Sequence, residues 1–277
     1  MKIKYLGTGA AEGIPAVFCH CGICEYARKQ KGKEIRTRSQ AIIDDLILID
    51  FGPDTFAHTL LYDIELANIY ECLITHAHDD HLYLEDLRAR RKSRAILKEG
   101  TPILNVYGGE GVKNVLLPDN EGFVTKNKNV KFHKVKAFKT FYINNSYKIT
   151  ALPAVHGTQE PFVYIISKGR KTFLYAHDTD VFKDEVWEYF CDNNIIFDAI
   201  SLDCTEGIKH IDYPGHMNFE RMKIMCEKMN QIESIRPETV IIASHISHNG
   251  QISFKDAEEL GKRLGYIVAY DGMTLQI

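Results

Sequence analysis

Thr75-His76-Ala77-His78-Asp79-Asp80-His81 places three imidazoles and two carboxylates within seven residues. The largely apolar Glu71-Cys72-Leu73-Ile74 precedes it and reads as a buried strand, while Leu82–Arg88 follows and reads as an amphipathic helix. A fold built on this chain must bring a strand to an edge, turn through the polar loop and leave by a helix. Neutral imidazole and ionised carboxylate are the usual ligands of zinc and similar divalent ions. A single histidine is more often structural. Three in one tight loop, with a pair of aspartates, point instead to a metal site.

The 277 residues, 45% hydrophobic and 26% charged, are enough for a full core. A net charge of −3 and a pI near 6.5 do not suggest a broad polyanion-binding surface. No apolar run approaches the roughly 18 residues needed to cross a bilayer. The N-terminal Met1–Gly7 is too short and broken for a signal peptide. A cytoplasmic protein with no membrane partner is expected.

Strand-like runs are many: Lys2–Leu6, Ala41–Asp44 and Leu46–Asp50 as a hairpin, Leu73–Thr75, Ile103–Tyr107, Lys131–Ala137, Lys148–Leu152, and Phe162–Ser167 with Thr172–Tyr175 around a Lys168–Lys171 turn. Ala199–Leu202 and Val240–Ala243 are short and apolar, as in strands covered on both faces. Tyr266–Tyr270 and Met273–Ile277 flank Asp271-Gly272 and predict a terminal hairpin with a type I′ turn. Helical spacing covers Thr55–Leu66, Leu84–Leu97, Lys183–Asn193, Phe219–Ile232 and Phe254–Leu264, with Asn218 and Ser253 as N-caps. The order is mixed α/β (α+β) with much antiparallel sheet, as one domain spanning residues 1–277. Gly108–Asn145 is the least regular stretch.

Polar residues recur at predicted strand exits. His156 follows Ile149–Val155, Asp178 follows Phe173–His177, and His245 follows Val240–Ser244. Strand ends gather residues distant in sequence into one site, although each alone could simply satisfy backbone groups. With His76, His78, Asp80 and His81 they make a set of seven. In this order the set resembles the metal-ligand series of the metallo-β-lactamase superfamily, across essentially the whole chain. That resemblance implies an αββα sandwich with a two-metal site at one edge of the sheets. It implies that His76, His78 and His156 hold one metal, that Asp80, His81 and His245 hold the other, and that Asp178 bridges them. Asp50 matches the family's early Asp, which supports the metal loop from behind the ligands. Two such ions, as zinc, manganese or iron, can share a hydroxide at neutral pH and neutralise charge on the attacked centre. Asp79 and His177 fall out of register and read as non-ligands.

Of seven cysteines, Cys72, Cys191, Cys204 and Cys226 are scattered and read as small core residues. Cys19, Cys21 and Cys24 cluster within a loop at about 18–25, three thiolates short of one ligand for a closed tetrahedral zinc. His248 is the best fourth ligand and His20 the alternative; free thiols are the bland reading. The Gly-rich Gly7–Pro15 turn lacks the spacing of a nucleotide loop. Within the superfamily the Cys cluster resembles the branch holding the phosphonate-pathway phosphoribosyl cyclic phosphodiesterases and the pyrroloquinoline-quinone accessory proteins. In that branch a structural zinc matches Cys19, Cys21, Cys24 and His248.

His216, in a Gly- and Pro-containing loop, resembles the family's active-site His that assists the Asp80 position in proton transfer, with Asp203 as its orienting carboxylate. The basic run Arg88–Arg94 reads first as a solvated helix face and second as a phosphate site. The expected activity is metal-dependent hydrolysis of a small cyclic or ribose phosphodiester, with Asp80 and His216 managing protons. Alternatives are an RNA-processing nuclease, against which the net charge counts, thioester or lactone hydrolysis, and a non-catalytic accessory metalloprotein. The partner expected is a small phosphorylated substrate rather than nucleic acid, with a homodimer left open.

Overall fold

The structure, a computed structural model, describes residues 1–117 and 129–277. Two sheets carry the chain. The first runs β14 (Thr274–Gln276), β1 (Lys2–Gly7), β2 (Gln40–Ile43), β3 (Ile47–Ile49), β4 (Glu71–Leu73), β5 (Leu104–Gly108) and β6 (Val130–Lys134). The second runs β13 (Tyr266–Val268), β12 (Val240–Ser244), β11 (Ala199–Asp203), β10 (Lys171–Ala176), β9 (Phe162–Lys168), β8 (Tyr147–Pro153) and β7 (Thr140–Ile143). Each sheet pairs one half antiparallel and the other half parallel, the mixture the sequence predicts.

Period-two alternation builds the layers. Ile3, Tyr5, Ile47 and Ile49 of the first sheet meet Ile149, Tyr164, Phe173 and Tyr175 of the second in a core between the sheets. Their neighbours Leu6, Leu48, Cys72 and Val106 face outward, under α4 (Glu110–Leu116) with Val112 and Leu116. Leu174, Ala176, Ile200 and Leu202 face the other way, under α5 (Asp184–Asp192), α6 (Phe219–Gln231) and α7 (Phe254–Leu264). The result is the expected αββα order. Each fully buried aliphatic or aromatic side chain contributes roughly 1.5–3 kcal/mol, so both sheets hold only if covered on both faces. Asn218 and Ser253 cap α6 and α7, accepting from the N–H groups of Arg221 and Asp256. No helix among the described residues is long and apolar enough to cross a membrane.

Several expectations are corrected. The terminal strands form no hairpin: β13 pairs parallel with β12, whereas β14 pairs with β1 in the other sheet. A type I′ turn needs positive φ at both central residues, and only Gly272 has it, at 86°. Asp271 instead accepts hydrogen bonds from Thr37 and Thr8, which steers the chain across the sandwich edge. The predicted helix over Leu84–Leu97 stops after α3 (Leu84–Leu87) and one 3₁₀ turn at Arg88–Arg90. Like charges one turn apart disfavour a helix there, and Arg90 donates instead to the carbonyls of Asn129 and Pro102. The helix predicted from Thr55 ends early, as α2 (Thr55–Leu61). Cys191 is exposed, not a core residue. Within Gly108–Asn145, α4, β6 and β7 give regular structure on either side of residues 118–128, which lie outside the described residues.

Candidate metal centre

β3 and β4 run parallel, and so do β10, β11 and β12. β8 is antiparallel to β9, which is antiparallel to β10, so β8 also points the same way. Their C-terminal ends therefore deliver Asp50, His76 to His81, His156, Asp178, Asp203 and His245 to one edge. Asp50, Asp178 and His245 turn the corner with φ of 66°, 51° and 59°. Such left-handed backbone costs non-glycine residues roughly 1–3 kcal/mol each and clusters at functional sites. The His loop is pinned by Phe51, whose N–H donates to the His81 carbonyl at 2.8 Å and whose carbonyl accepts from Tyr83 N–H at 2.7 Å. A Cβ on Gly52 would lie 2.1 Å from the Asp80 carbonyl oxygen, so only glycine lets the loop come this close.

All seven predicted ligands converge. His78 Nδ1 lies 2.9 Å from His76 Nε2 and 3.2 Å from His156 Nε2. On the other side, His81 Nε2 lies 3.1 Å from Asp80 Oδ2, and Asp80, His81 and His245 offer atoms within 4.8 Å of one another. Asp178 stands between the groups, with Oδ2 2.9 Å from His81 Nε2 and 2.8 Å from His245 Nε2, and Oδ1 3.8 Å from His156 Nε2. Those three short-contact atoms (Asp178 Oδ2, His81 Nε2, His245 Nε2) are buried yet make no hydrogen bond, because they are close without being aligned on each other. Buried polar atoms are rarely left so. Their lone pairs share a focus, which is what a cation would need.

The electrostatics agree. Asp50, Asp80, Asp178 and Asp203 are all buried at this edge. Burial pulls His81 down, but the carboxylates of Asp80, Asp178 and Asp50 outweigh it and hold the imidazole well above its ordinary range. His245 is raised against burial by Asp178 and Asp203. His76, by contrast, is driven well below its range by burial and by His81. Burial favours the neutral acid for Asp80 and Asp178, yet the neighbouring imidazoles hold both carboxyls below the usual range. Buried anions need positive charge, from protonated imidazoles or a divalent ion, and the residues present fit divalent ions.

Partners behind the ligands fix their orientation. Asp50 accepts from His81 Nδ1 at 2.7 Å and from the N–H and hydroxyl of Thr75. Asp203 lies 3.2 Å from His216 Nδ1 and also accepts from the N–H groups of Asp178, Thr205 and Met217. Against burial, Asp203 lifts His216 to about 9. His177 turns away, bonded to Ser39 and Ser201, and Asp79 is exposed, as expected of non-ligands. The Arg88–Arg94 run does not line the cavity over the centre. Sequence reasoning missed Thr205, whose hydroxyl lies 2.8 Å from His245 Nδ1, and its neighbour Glu206 in the cavity wall. Both follow Asp203 at a strand exit, the same signal that marks the ligands.

Cys19, Cys21, Cys24 and His248 also come together, with ligand atoms within 4.8 Å of one another. The sulfurs of Cys19 and Cys21 are each 3.5 Å from His248 Nδ1. A tetrahedral zinc with Zn–S of about 2.3 Å and Zn–N of about 2.0–2.1 Å would set such a pair about 3.6 Å apart. Burial pushes the Cys24 thiol up to about 12, while hydrogen bonds from Cys24 N–H and His248 overcome burial and bring Cys21 down to about 6. His20 points to solvent, 3.8 Å from Glu25, and is no ligand.

Solved structures share this fold. A diphosphatase from the PhnP family superposes with a TM-score of 0.74 at 24% identity, over 99% of this chain and 97% of that one. Zinc-bound PqqB from Methylobacterium extorquens gives 0.77 at 20% identity, over 100% of each chain. Among curated proteins, an octanoyltransferase of Porphyromonas gingivalis is 28% identical over 99% of this chain and 51% of its own length. A ribonuclease Z of Methanococcus maripaludis is 27% identical over 62% of this chain and 50% of its own. The chain thus spans about half the length of the curated relatives it matches. Residues 46–246, which hold every candidate ligand of the His–Asp centre, match the beta-lactamase superfamily domain, and the chain belongs to that family.

Proposed function

We propose that this protein is a metal-dependent hydrolase that cleaves a small phosphodiester at the His–Asp centre. The observation that carries the reading is the buried focus of Asp178 Oδ2, His81 Nε2 and His245 Nε2, three polar atoms without hydrogen bonds, beside a cavity that Asp178 and His245 line. Divalent ions held by His76, His78 and His156, by Asp80, His81 and His245, and by Asp178 between them would activate water and neutralise charge on phosphorus. The chain supplies the rest. His216, held cationic by Asp203 and lining the same cavity, presents Nε2 as a proton donor to a phosphoryl oxygen or the leaving alkoxide. Asp80, kept ionised, accepts a proton. Asp203 holds the Nδ1 proton of His216 in place when Nε2 gives up its own.

The test is turnover of bis(p-nitrophenyl) phosphate and of a ribose cyclic phosphate by metal-replete protein. Hydrolysis of either, falling by about 10²–10⁴-fold in His216→Ala, is expected; no turnover of any phosphodiester sinks the reading. The likeness to a protein named octanoyltransferase, of which this chain matches about half, prompts a second reading, hydrolysis of an acyl thioester, and a thioester assay run in parallel decides between them. A metal count that finds the Cys site filled and the His–Asp centre empty would favour an accessory role.

A further inference from the structure

Residues 208–216 pass beside the cavity with no helix or strand of their own, and of these nine Ile211 and Gly215 alone are buried. The ends of the stretch are pinned. Phe219 N–H donates to the Gly207 carbonyl at 2.9 Å, and Asn218 Nδ2 donates to the Lys209 carbonyl at 2.9 Å. Two buried residues do not by themselves order the middle of such a loop. Yet Tyr213 and His216 of this stretch line the cavity.

One guanidinium supplies the hold. Arg221 stands in the first turn of α6 and reaches back over the loop. Its Nη1 donates to the carbonyls of Tyr213 at 2.9 Å and His216 at 3.2 Å, and its Nη2 to that of Ile211 at 3.2 Å. Nη1 also donates to Asp180 Oδ2 at 2.6 Å. The pair is largely withdrawn from solvent, the two side chains being 22% and 14% exposed. Asp180 is fixed in turn, two residues past Asp178, by its N–H donating to the Val155 carbonyl at 3.1 Å. Arg221 thus ties the loop to the strand exits that carry His156 and Asp178. A planar fork serves several acceptors in fixed directions, which an ammonium group does not.

What the loop delivers lies at the centre. The Gly215 carbonyl accepts from His156 Nδ1 at 3.2 Å, which leaves Nε2 facing His78. His216 meets Asp203 through Nδ1, so the place of its Nε2 in the cavity depends on where the loop backbone sits. Arg221 grips the carbonyl of that same residue, yet it is not among the residues lining the cavity. Its influence on a substrate therefore runs through the loop.

We propose that Arg221, anchored on Asp180, is a positioning residue that places His216 for proton transfer. The inference rests on the hydrolase reading of the centre and adds a part that acts without touching the substrate.

The test uses the full, metal-replete chain with Arg221→Met, Arg221→Lys and Asp180→Asn. Arg221→Met should lower kcat by about 10–100-fold with KM within about threefold, because small misplacement of a catalytic group is that costly. Metal content should stay at the wild-type value, and Tm should fall by only a few degrees. Arg221→Lys keeps the charge without the fork and should recover less than about threefold of the loss. In a His216→Ala background, Arg221→Met should cost less than about threefold, since nothing is left to place. Hydrogen exchange gives a readout independent of turnover. Protection of the Met217 amide, which donates to Asp203 Oδ1, should fall by about tenfold or more in Arg221→Met. If Arg221→Met fails to fold, Asp180→Asn carries the same cycle. An unchanged kcat overturns the proposal. So does a loss that is equally large in the His216→Ala background, the mark of a merely structural role. If the wild type hydrolyses neither diester nor thioester, the hydrolase reading fails and exchange decides alone. Lost protection at Met217 then upholds the placement of His216 by Arg221, and unchanged protection overturns it.

Discussion

The His–Asp centre and the thiolate site lie a few residues apart, at His245 and His248, yet they are assembled in opposite ways. The first draws its residues from the exits of β3, β4, β8, β10, β11 and β12, in both sheets. Once the sandwich forms, those residues have nowhere else to go. The second takes three ligands from six consecutive residues and only His248 from afar. The chain from Ala10 to Cys21 has turns but no helix or strand of its own, and is held by Arg28 donating to the carbonyls of Ala16 and Cys19. One site is a product of the fold, whereas the other has to help make its part of it. Metal should therefore matter for chemistry in the first and for stability in the second.

The largest expected effect tests the first half of that contrast. His78→Ala should remove or weaken about two metals and cut hydrolysis by a thousandfold or more, while the melting temperature moves little. Metal analysis beside a thermal melt checks it, and a collapse of the fold would erase the distinction. Cys24→Ala should do the reverse, losing about one metal and about 3 kcal/mol of stability, or roughly 6–12 °C in Tm, while the protein that remains folded keeps its kcat. Retention of all metal would refute a structural zinc. Asp203→Asn probes the support behind the centre: a loss of about 10–100-fold in metal affinity or activity is expected, with the thiolate metal retained. The smallest effect is a control outside both sites. Ser253→Ala removes the cap of α7 and should cost about 1 kcal/mol in a denaturant titration without changing metal content or kinetics.

Much of the centre was legible because it obeys a local rule repeated along the chain. An apolar strand followed at once by His or Asp marks His76, His156, Asp178 and His245 alike, and parallel strand direction then does the gathering. The thiolate site was legible from spacing, with His248 resolved over His20 by where β12 ends. What stayed hidden depends on non-local partners. Helix α1 (Gly22–Gln30) escaped notice because it buries only Cys24 and Ala27. The strand β7 and its turn at Asn144-Asn145, both with positive φ, carry a type I′ signal that was passed over. The terminal crossing between sheets turns on Asp271 meeting Thr8 and Thr37, more than 230 residues away. Thr205 and Glu206 gain meaning only when the exit of β11 sets them beside His245 and the cavity.

The three left-handed corners at Asp50, Asp178 and His245 also bear on how a protein of this kind could change over time. Each corner penalises β-branched and bulky residues, independent of any ligand. Asn, Asp, His and Gly are the replacements that the backbone tolerates. A descendant relieved of its reaction would therefore drift along a narrow path, exchanging Asp for Asn or Gly while the corners persisted. Its site would resemble a disarmed enzyme long after the activity had gone, so intact corners alone are poor testimony that a relative still catalyses anything.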